Sequence, residues 1–155
     1  PMDRWSTRVI DDWANQLGAE PLYPFGGPPF KPFYTWALRT GRIHASPVQL
    51  LVHDEAGLFV SFRGALALPN YVALPSAPSS PCATCVEKPC VDACLSGALA
   101  QKGYDVPKCK TFLKTDAGQP NMTQGCNVRR SCPVSQRFGR LSIQSAYHMQ
   151  QFAGG

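Results

Sequence analysis

The chain has 155 residues, of which 44% are hydrophobic and 16% are charged, a composition typical of a soluble globular protein. The longest apolar runs, such as VQLLV at residues 48–52, are too short to cross a bilayer, and no basic-then-apolar leader opens the chain. We therefore predict a cytoplasmic protein that does not bind a membrane. The opening PMDRWSTRVIDDW reads as the middle of a fold, so we expect a missing N-terminal portion.

The net charge of +5 lies entirely in the C-terminal half. Residues 1–78 carry six basic and six acidic side chains, whereas residues 79–155 carry nine basic and four acidic ones. Such an excess is typical of a solvated surface or a nucleic-acid patch, or it offsets a bound anionic group. Nucleic acid fits poorly, because the aromatic residues are not interleaved with the basic ones and no RNP, KH or zinc-finger spacing is present.

Residues 1–68 are predicted to form a small α/β domain. DRWSTRVIDDWANQLG predicts an amphipathic helix that ends at Gly18. Four apolar residues recur near helical spacing and are expected to pack: Trp5, Val9, Trp13 and Leu17. EPLYPFGGPPFKP predicts a shaped loop, and FYTWALRTG a second short helix closed by Gly41.

From residue 46 onward the pattern of apolar residues changes from one typical of helices to one typical of strands. VQLLV and LFVSF predict two strands around a DEAG turn, and ALAL extends the second strand or forms a third. Residues 69–81, with four prolines and three serines, predict a linker. Residues 82–155 hold the cysteines and a closing helix, whose apolar residues are expected to be partly buried: Phe138, Leu141, Tyr147 and Phe152. The predicted fold class is α+β.

Seven cysteines lie between residues 82 and 132. A disulfide framework would leave one of them unpaired, so we favour thiolate ligands in a reducing compartment. Zinc sites with four thiolates usually contain two C-x2-C pairs separated by a longer loop, and only Cys82 and Cys85 form such a pair. A structural zinc module is therefore an alternative that the spacing disfavours.

Iron–sulfur cubanes use three closely spaced cysteines and a distant cysteine before a proline, while the next cysteine of the first run crosses to a second cluster. The residues that match one complete [4Fe-4S] set are Cys82, Cys85, Cys90 and Cys132. The remainder, an incomplete second set, are Cys94, Cys109 and Cys126. Four basic residues beside these cysteines would stabilise an anionic cluster: Lys108, Lys110, Arg129 and Arg130.

The incomplete set leaves three outcomes open. It holds a [3Fe-4S] cluster, or a [4Fe-4S] cluster with a fourth ligand from Asp, His, water or substrate, or it holds no cluster and the three thiols are spare. The candidate replacement ligands are Asp105, Asp116 and His148.

TGRIHASPVQLLVHDEAGLFVSFRGALALP, the linker and CATCVEKPCVDACLSGAL together resemble the epoxyqueuosine reductase family. GCNVRRSCPVS is similar to the family's GCxxCxxxCPxN segment, and the likeness covers roughly residues 22–135. The resemblance implies a corrinoid-dependent reductase with two [4Fe-4S] clusters. It further implies a nitroreductase-like fragment, related to the vitamin B12-processing reductases and able to hold cobalamin, followed by a ferredoxin-like iron–sulfur module.

The chain departs from this family at functional positions. Phe25, three residues before Pro28, stands where the family has a catalytic Asp, and phenylalanine donates no proton. The family's GWxGKN loop is GRIHAS here, which makes Arg42 and His44 the candidate cofactor-binding residues. His53, beside a turn, is expected to be exposed. The tRNA substrate of the family is not carried over.

We predict an iron–sulfur redox protein that transfers electrons through one or two clusters. Its expected partner is a redox protein, acidic if it docks on the basic half. The alternative is a cobalamin-linked reductase that lacks the family's acid, and the second alternative is the zinc module. The sequence assigns no catalytic residue.

Overall fold

The structure is a computed structural model that describes residues 1–100 and 103–154. Helices and short strands are mixed, so the fold class is α+β, as predicted. Residues 101, 102 and 155 belong to the predicted iron–sulfur module and lie outside the described residues.

In chain order the elements are α1 (Met2–Leu17), β1 (Glu20–Leu22), α2 (Phe33–Arg39), β2 (Ile43–Ala45), β3 (Leu51–His53), β4 (Ala65–Ala67), β5 (Leu99–Ala100), β6 (Gly103–Tyr104), α3 (Val106–Leu113), a 3-10 turn (Asp116–Gly118), α4 (Gln119–Gln124), α5 (Asn127–Ser131), α6 (Pro133–Arg137) and α7 (Ser142–Gly154). Within the described part of the chain, no helix is both long and apolar enough to span a bilayer.

The strands form three separate antiparallel pairs: β1 with β4, β2 with β3, and β5 with β6. Their registers align Pro21 with Leu66, His44 with Val52, and Leu99 with Tyr104.

The chain divides into two compact units. The N-terminal unit comprises Pro1–Thr40 and Ser61–Ala77, and the cysteine unit comprises Gly41–Val60 and Pro78–Gly155. The β2–β3 hairpin therefore belongs to the unit with the cysteines, whereas the boundary predicted at residue 68 groups it with the N-terminal domain. Residues 69–79 of the predicted linker contain no helix or strand and are exposed.

Helix α1 forms as predicted and ends at Gly18, which adopts the left-handed conformation with φ of 60°. Its buried face differs from the prediction. The face consists of Ser6, Ile10 and Ala14, while three of the residues expected to pack are about half exposed: Trp5, Trp13 and Leu17. The reason is close packing, since Ile10 approaches Gly64 at a point where any Cβ would clash.

The predicted strand pair around DEAG is only partly present. Strand β3 begins at Leu51, because residues 46–50 form a turn in which the Ser46 N–H donates to the Leu50 carbonyl (3.0 Å). LFVSF forms no strand: the Leu58 N–H donates to Ser135 Oγ (2.8 Å) and its carbonyl accepts from Arg129. Side chains of α5 and α6 therefore bind the N–H and carbonyl of Leu58, which a neighbouring strand would otherwise have to bind. ALAL does form a third strand, β4.

The core of the cysteine unit combines residues from the hairpin and from the cysteine segment. Its buried members are Val48, Val52, Leu58, Cys90, Leu99, Val128 and Cys132. The closing segment is two helices rather than one, because Gly139 turns the chain with φ of 72°. Phe138 and Leu141, beside this turn, are exposed, whereas Tyr147 and Phe152 on α7 are half-buried as predicted.

Candidate metal centre

The cysteines are held by short turns and helix starts. Cys82 lies in a turn that begins at Pro81, and Cys90 is buried. Cys132 is the N-terminal cap of α6, whose first residue is Pro133, and Cys126 caps α5 in the same way. Neither of these two cysteine side chains forms a capping hydrogen bond to its helix.

One cavity of the cysteine unit has a volume of about 470 Å³. Four cysteines line it: Cys82, Cys85, Cys90 and Cys132. We call these the four-cysteine set. Two of its members, Cys90 and Cys132, are more than nine-tenths buried, and the other two are half-buried. The β2–β3 hairpin and the turn that follows it contribute a wall on which Val52 and Leu58 are fully buried.

The thiols of this set influence one another. Burial raises the pKa of Cys82, and the neighbouring Cys132 and Cys85 raise it further. Burial also raises the pKa of Cys90, and Cys132, Cys82 and Cys85 raise it further. All seven cysteines of the chain are free thiols. Thiols with a raised pKa keep their protons at neutral pH, so binding of a metal group here must release protons.

The remaining three cysteines form a second neighbourhood, the three-cysteine set of Cys94, Cys109 and Cys126. The Cys109 thiol interacts electrostatically with the other two. Cys94 Sγ accepts a hydrogen bond from the Leu99 N–H (3.3 Å) and lies 3.4 Å from Ser96 Oγ. Burial raises the pKa of Cys94, but these hydrogen bonds outweigh it and leave the pKa below its ordinary value. The protein therefore supports a thiolate at Cys94.

Sequence reasoning missed Tyr104, whose hydroxyl hydrogen-bonds the Cys109 thiol. Burial and that thiol raise the pKa of Tyr104, so the hydroxyl keeps its proton. Tyr104 reaches this place because β6 ends directly before α3, which carries Cys109. No cysteine spacing marks it, because its position depends on the pairing of β6 with β5.

Arg129 lies beside the same set. Its guanidinium donates to the Leu58 carbonyl and interacts with Cys126 and Tyr104. Burial lowers the pKa of Arg129. No carboxylate among residues 1–100 and 103–154 forms an ion pair with it. A half-buried guanidinium thus lies near the Cys126 thiol, and its hydrogen-bond acceptor among the described residues is the Leu58 carbonyl.

The candidate replacement ligands lie at different places. Asp105 caps α3 and accepts from the Lys108 N–H (2.9 Å). Asp116 is exposed in the 3-10 turn, and the ring of His148 on α7 lies edge-on to Tyr147. Their role as ligands stays a prediction.

The candidate cofactor-binding residues lie in the hairpin. Arg42 is exposed and contacts two carboxylates of the turn, Asp54 and Glu55, each at 2.6 Å. His44, on β2, has a buried Nε2 without a hydrogen-bond partner in the described ranges. His53 is half-buried rather than exposed, because its Nδ1 accepts from the Glu55 N–H (2.9 Å) and so draws the ring onto the turn.

Replacing Arg42 with glutamine is expected to raise the pKa of Asp54. The Arg42 guanidinium now holds that pKa below its ordinary value through a hydrogen bond. A depressed carboxyl pKa stabilises the fold above the unfolded-state pKa, and this contribution disappears as the pH falls through the folded-state value. The variant should therefore lose stability at neutral pH but not at low pH.

An NMR titration of the Asp54 carboxyl carbon measures this change. Arg63→Gln is the control, because Arg63 pairs with Asp3 and not with Asp54. An Asp54 pKa unaltered by Arg42→Gln would contradict the contact.

Within the part of the chain that the structure describes, no group of three or more His, Cys, Asp or Glu side chains is arranged to hold a metal ion. No protein-family model, characterised protein or solved structure matches the chain. The resemblance to the epoxyqueuosine reductase family therefore stays a prediction from the motifs.

Proposed function

We propose that the chain is an electron-transfer protein that holds a [4Fe-4S] cluster in the cavity of the four-cysteine set. One observation carries the proposal: the four cysteines that the sequence spacing groups together line one cavity. When bound, such a cluster supplies a one-electron redox centre.

The cavity supports a cluster by its shape and its donors. A cubane distributes its thiolates over separate iron atoms, so the ligands must surround a space instead of meeting at a single ion. Four cysteines that line one cavity of about 470 Å³ support this requirement. Ser46, also on the cavity wall, has a buried hydroxyl without a partner among the described residues, which fits an occupant that carries acceptor atoms.

Residues on the two sides of the cavity have different proposed roles. Val52 and Leu58 exclude water from one side, since both are at most 1% exposed. The segment from Cys82 to Lys88 forms the other side, where Thr84, Val86 and Lys88 are exposed. A partner docked there would come near the half-buried Cys82 and Cys85. This segment is therefore the proposed entry point for electrons.

We further propose that the three-cysteine set holds a second anionic cluster. Removing a guanidinium from water is costly unless an anion compensates it, and Arg129 has only a carbonyl acceptor in the described ranges. An iron–sulfur cluster beside Cys126 would supply the missing negative charge. Cys94, which already receives hydrogen bonds, would be a thiolate ligand of this group.

The proposed setting is a reducing compartment, the cytoplasm, where seven free thiols persist. Residues 82–155 would form a ferredoxin-like module with a C-terminal helix, and residues 1–68, which include Arg42 and His44, would form a nitroreductase-like fragment. The net charge of +5 would attract an acidic redox partner.

A second candidate is a cobalamin-linked reductase. The buried Nε2 of His44 favours it, because a ring nitrogen without a hydrogen-bond partner in the described ranges is available to a metal. In this candidate the chain would pass one electron to the corrinoid cobalt.

Anaerobic reconstitution of the whole chain with iron and sulfide tests these proposals. We expect about four iron and four sulfide per cubane and EPR signals from more than one cluster. Metal analysis of the chain before reconstitution tests the alternative: zinc without acid-labile sulfide there, together with failure to take up iron and sulfide afterwards, would refute the redox function and favour the structural zinc module. Formation of cob(II)alamin after addition of cob(III)alamin to the reduced protein would support the reductase, whereas unchanged cob(III)alamin would contradict it.

A further inference from the structure

Ser46 occupies an unusual position at the edge of the β2–β3 hairpin. Its backbone is satisfied, because the N–H donates to the Leu50 carbonyl (3.0 Å) and the carbonyl accepts from the Gln49 N–H (3.1 Å). Its side chain is not: the residue is only 5% exposed, and Oγ has no hydrogen-bond partner in the described part of the chain.

A buried hydroxyl without a partner is unfavourable, because it has lost its hydrogen bonds to water without replacing them. The turn itself does not require the hydroxyl, since both of its backbone hydrogen bonds form without the side chain. Alanine would fill the same place without this cost. The hydroxyl is therefore best explained by a partner that occupies the neighbouring space.

That space is the cavity of the four-cysteine set, because Ser46 lines it together with all four cysteines. The other residues on this wall, Pro47 and Val52 of the hairpin and Leu58 just after it, carry no side-chain hydrogen-bonding group. The Ser46 hydroxyl is thus the polar side chain that the hairpin presents to the cavity.

We propose that the Ser46 hydroxyl donates a hydrogen bond to a sulfur atom of the cluster held by the four-cysteine set and thereby raises its reduction potential. The inference rests on the proposed function and adds to it a residue that no cysteine motif contains. Reduction by one electron makes the sulfur atoms more negative, so a donor stabilises the reduced state more than the oxidised state. Ser46 is a positioning and tuning residue and not a ligand.

Redox titration of the reconstituted whole chain, followed by EPR, tests this role. Ser46→Ala is expected to lower the midpoint potential of the four-cysteine cluster while iron and sulfide contents stay unchanged. Ser46→Thr, which keeps the hydroxyl, is expected to retain the original potential. The matched control is Thr84→Val, because Thr84 lines the same cavity but is exposed and its hydroxyl already contacts the Pro81 carbonyl (3.5 Å).

A second measurement uses the unaltered protein. Electron–nuclear double resonance of the reduced cluster should show a coupled proton that disappears after brief exposure to D2O, before buried amides exchange. The same signal should be missing from Ser46→Ala. This measurement decides the matter even if that variant fails to assemble its cluster.

The outcomes separate the inference from the proposed function. An intact cluster whose potential is the same in Ser46→Ala, or the absence of a rapidly exchanging coupled proton in the unaltered chain, would overturn the role of Ser46 and leave electron transfer standing. Failure of the unaltered chain to bind iron and sulfide would overturn both. A lowered potential in Thr84→Val as well as in Ser46→Ala would attribute the effect to cavity polarity in general and would also overturn the assignment.

Discussion

Replacing Cys132 with serine is expected to remove the four-cysteine cluster, a loss of about four iron and four sulfide per chain. Cys132 is the most distant of the four in sequence, and it is buried at the start of α6. A serine hydroxyl is a harder donor that rarely ionises, so it replaces a thiolate poorly as an iron ligand. The measurement is iron and sulfide analysis with EPR of the reduced protein.

Cys109→Ser is the matched control. Cys109 is half-buried on α3 and interacts with Cys126 and Cys94, the other members of the three-cysteine set. We expect this variant to retain the signal of the four-cysteine cluster and to lose only the second one. Loss of all iron from Cys109→Ser, or an undiminished iron content in Cys132→Ser, would show that the two sets are assigned incorrectly.

The second large effect is expected from Gly57→Ala. Gly57 has φ of 58°, and a Cβ there would lie 2.5 Å from both N and Oγ of Ser135. The left-handed conformation and the overpacking together should reduce the free energy of unfolding by about 2 to 5 kcal/mol. Urea unfolding of the apoprotein, followed by circular dichroism, measures the change.

Gly139→Ala isolates the conformational part of this effect. Gly139 lies in the same unit with φ of 72°, but apart from its chain neighbours no atom of the described residues is within 4 Å of its hypothetical Cβ. Its expected cost is about 1 to 2 kcal/mol. An equal decrease in the free energy of unfolding in both variants would mean that Gly57 does not pack closely against Ser135.

Local signals in the sequence predicted local structure well. The apolar period and Gly18 predicted α1 and its end, and the proline-rich composition predicted the segment without helix or strand at residues 69–79. The cysteine spacing also grouped the thiols that are neighbours in the structure, although their ligation of clusters stays a prediction.

What the sequence left undetermined depends on contacts between distant segments. Two adjacent faces of helix α1 carry apolar side chains, one with Ile10 and one with Trp5 and Trp13. Only the close approach of Ile10 to Gly64 determines which face is buried. LFVSF has the composition of a strand, yet Ser135 and Arg129 bind the backbone of Leu58 instead. The roles of Ser46 and Tyr104 are equally invisible in the sequence, because each follows from where a turn or hairpin lies in space.

The attachment of Leu58 to Ser135, 77 residues later in the chain, has a consequence for biosynthesis. During translation the hairpin emerges from the ribosome first, followed by Cys82, Cys85 and Cys90, and α6 emerges much later. During that interval the emerged part of the nascent chain contains three of the four thiols and one wall of the cavity. Cys132 and Ser135, which binds the backbone of Leu58, have not yet emerged. Loop closure over such a distance comes late in folding. We therefore expect insertion of the four-cysteine cluster to follow translation, which leaves the partial site open to oxidation or to a competing metal until the C-terminal helices dock.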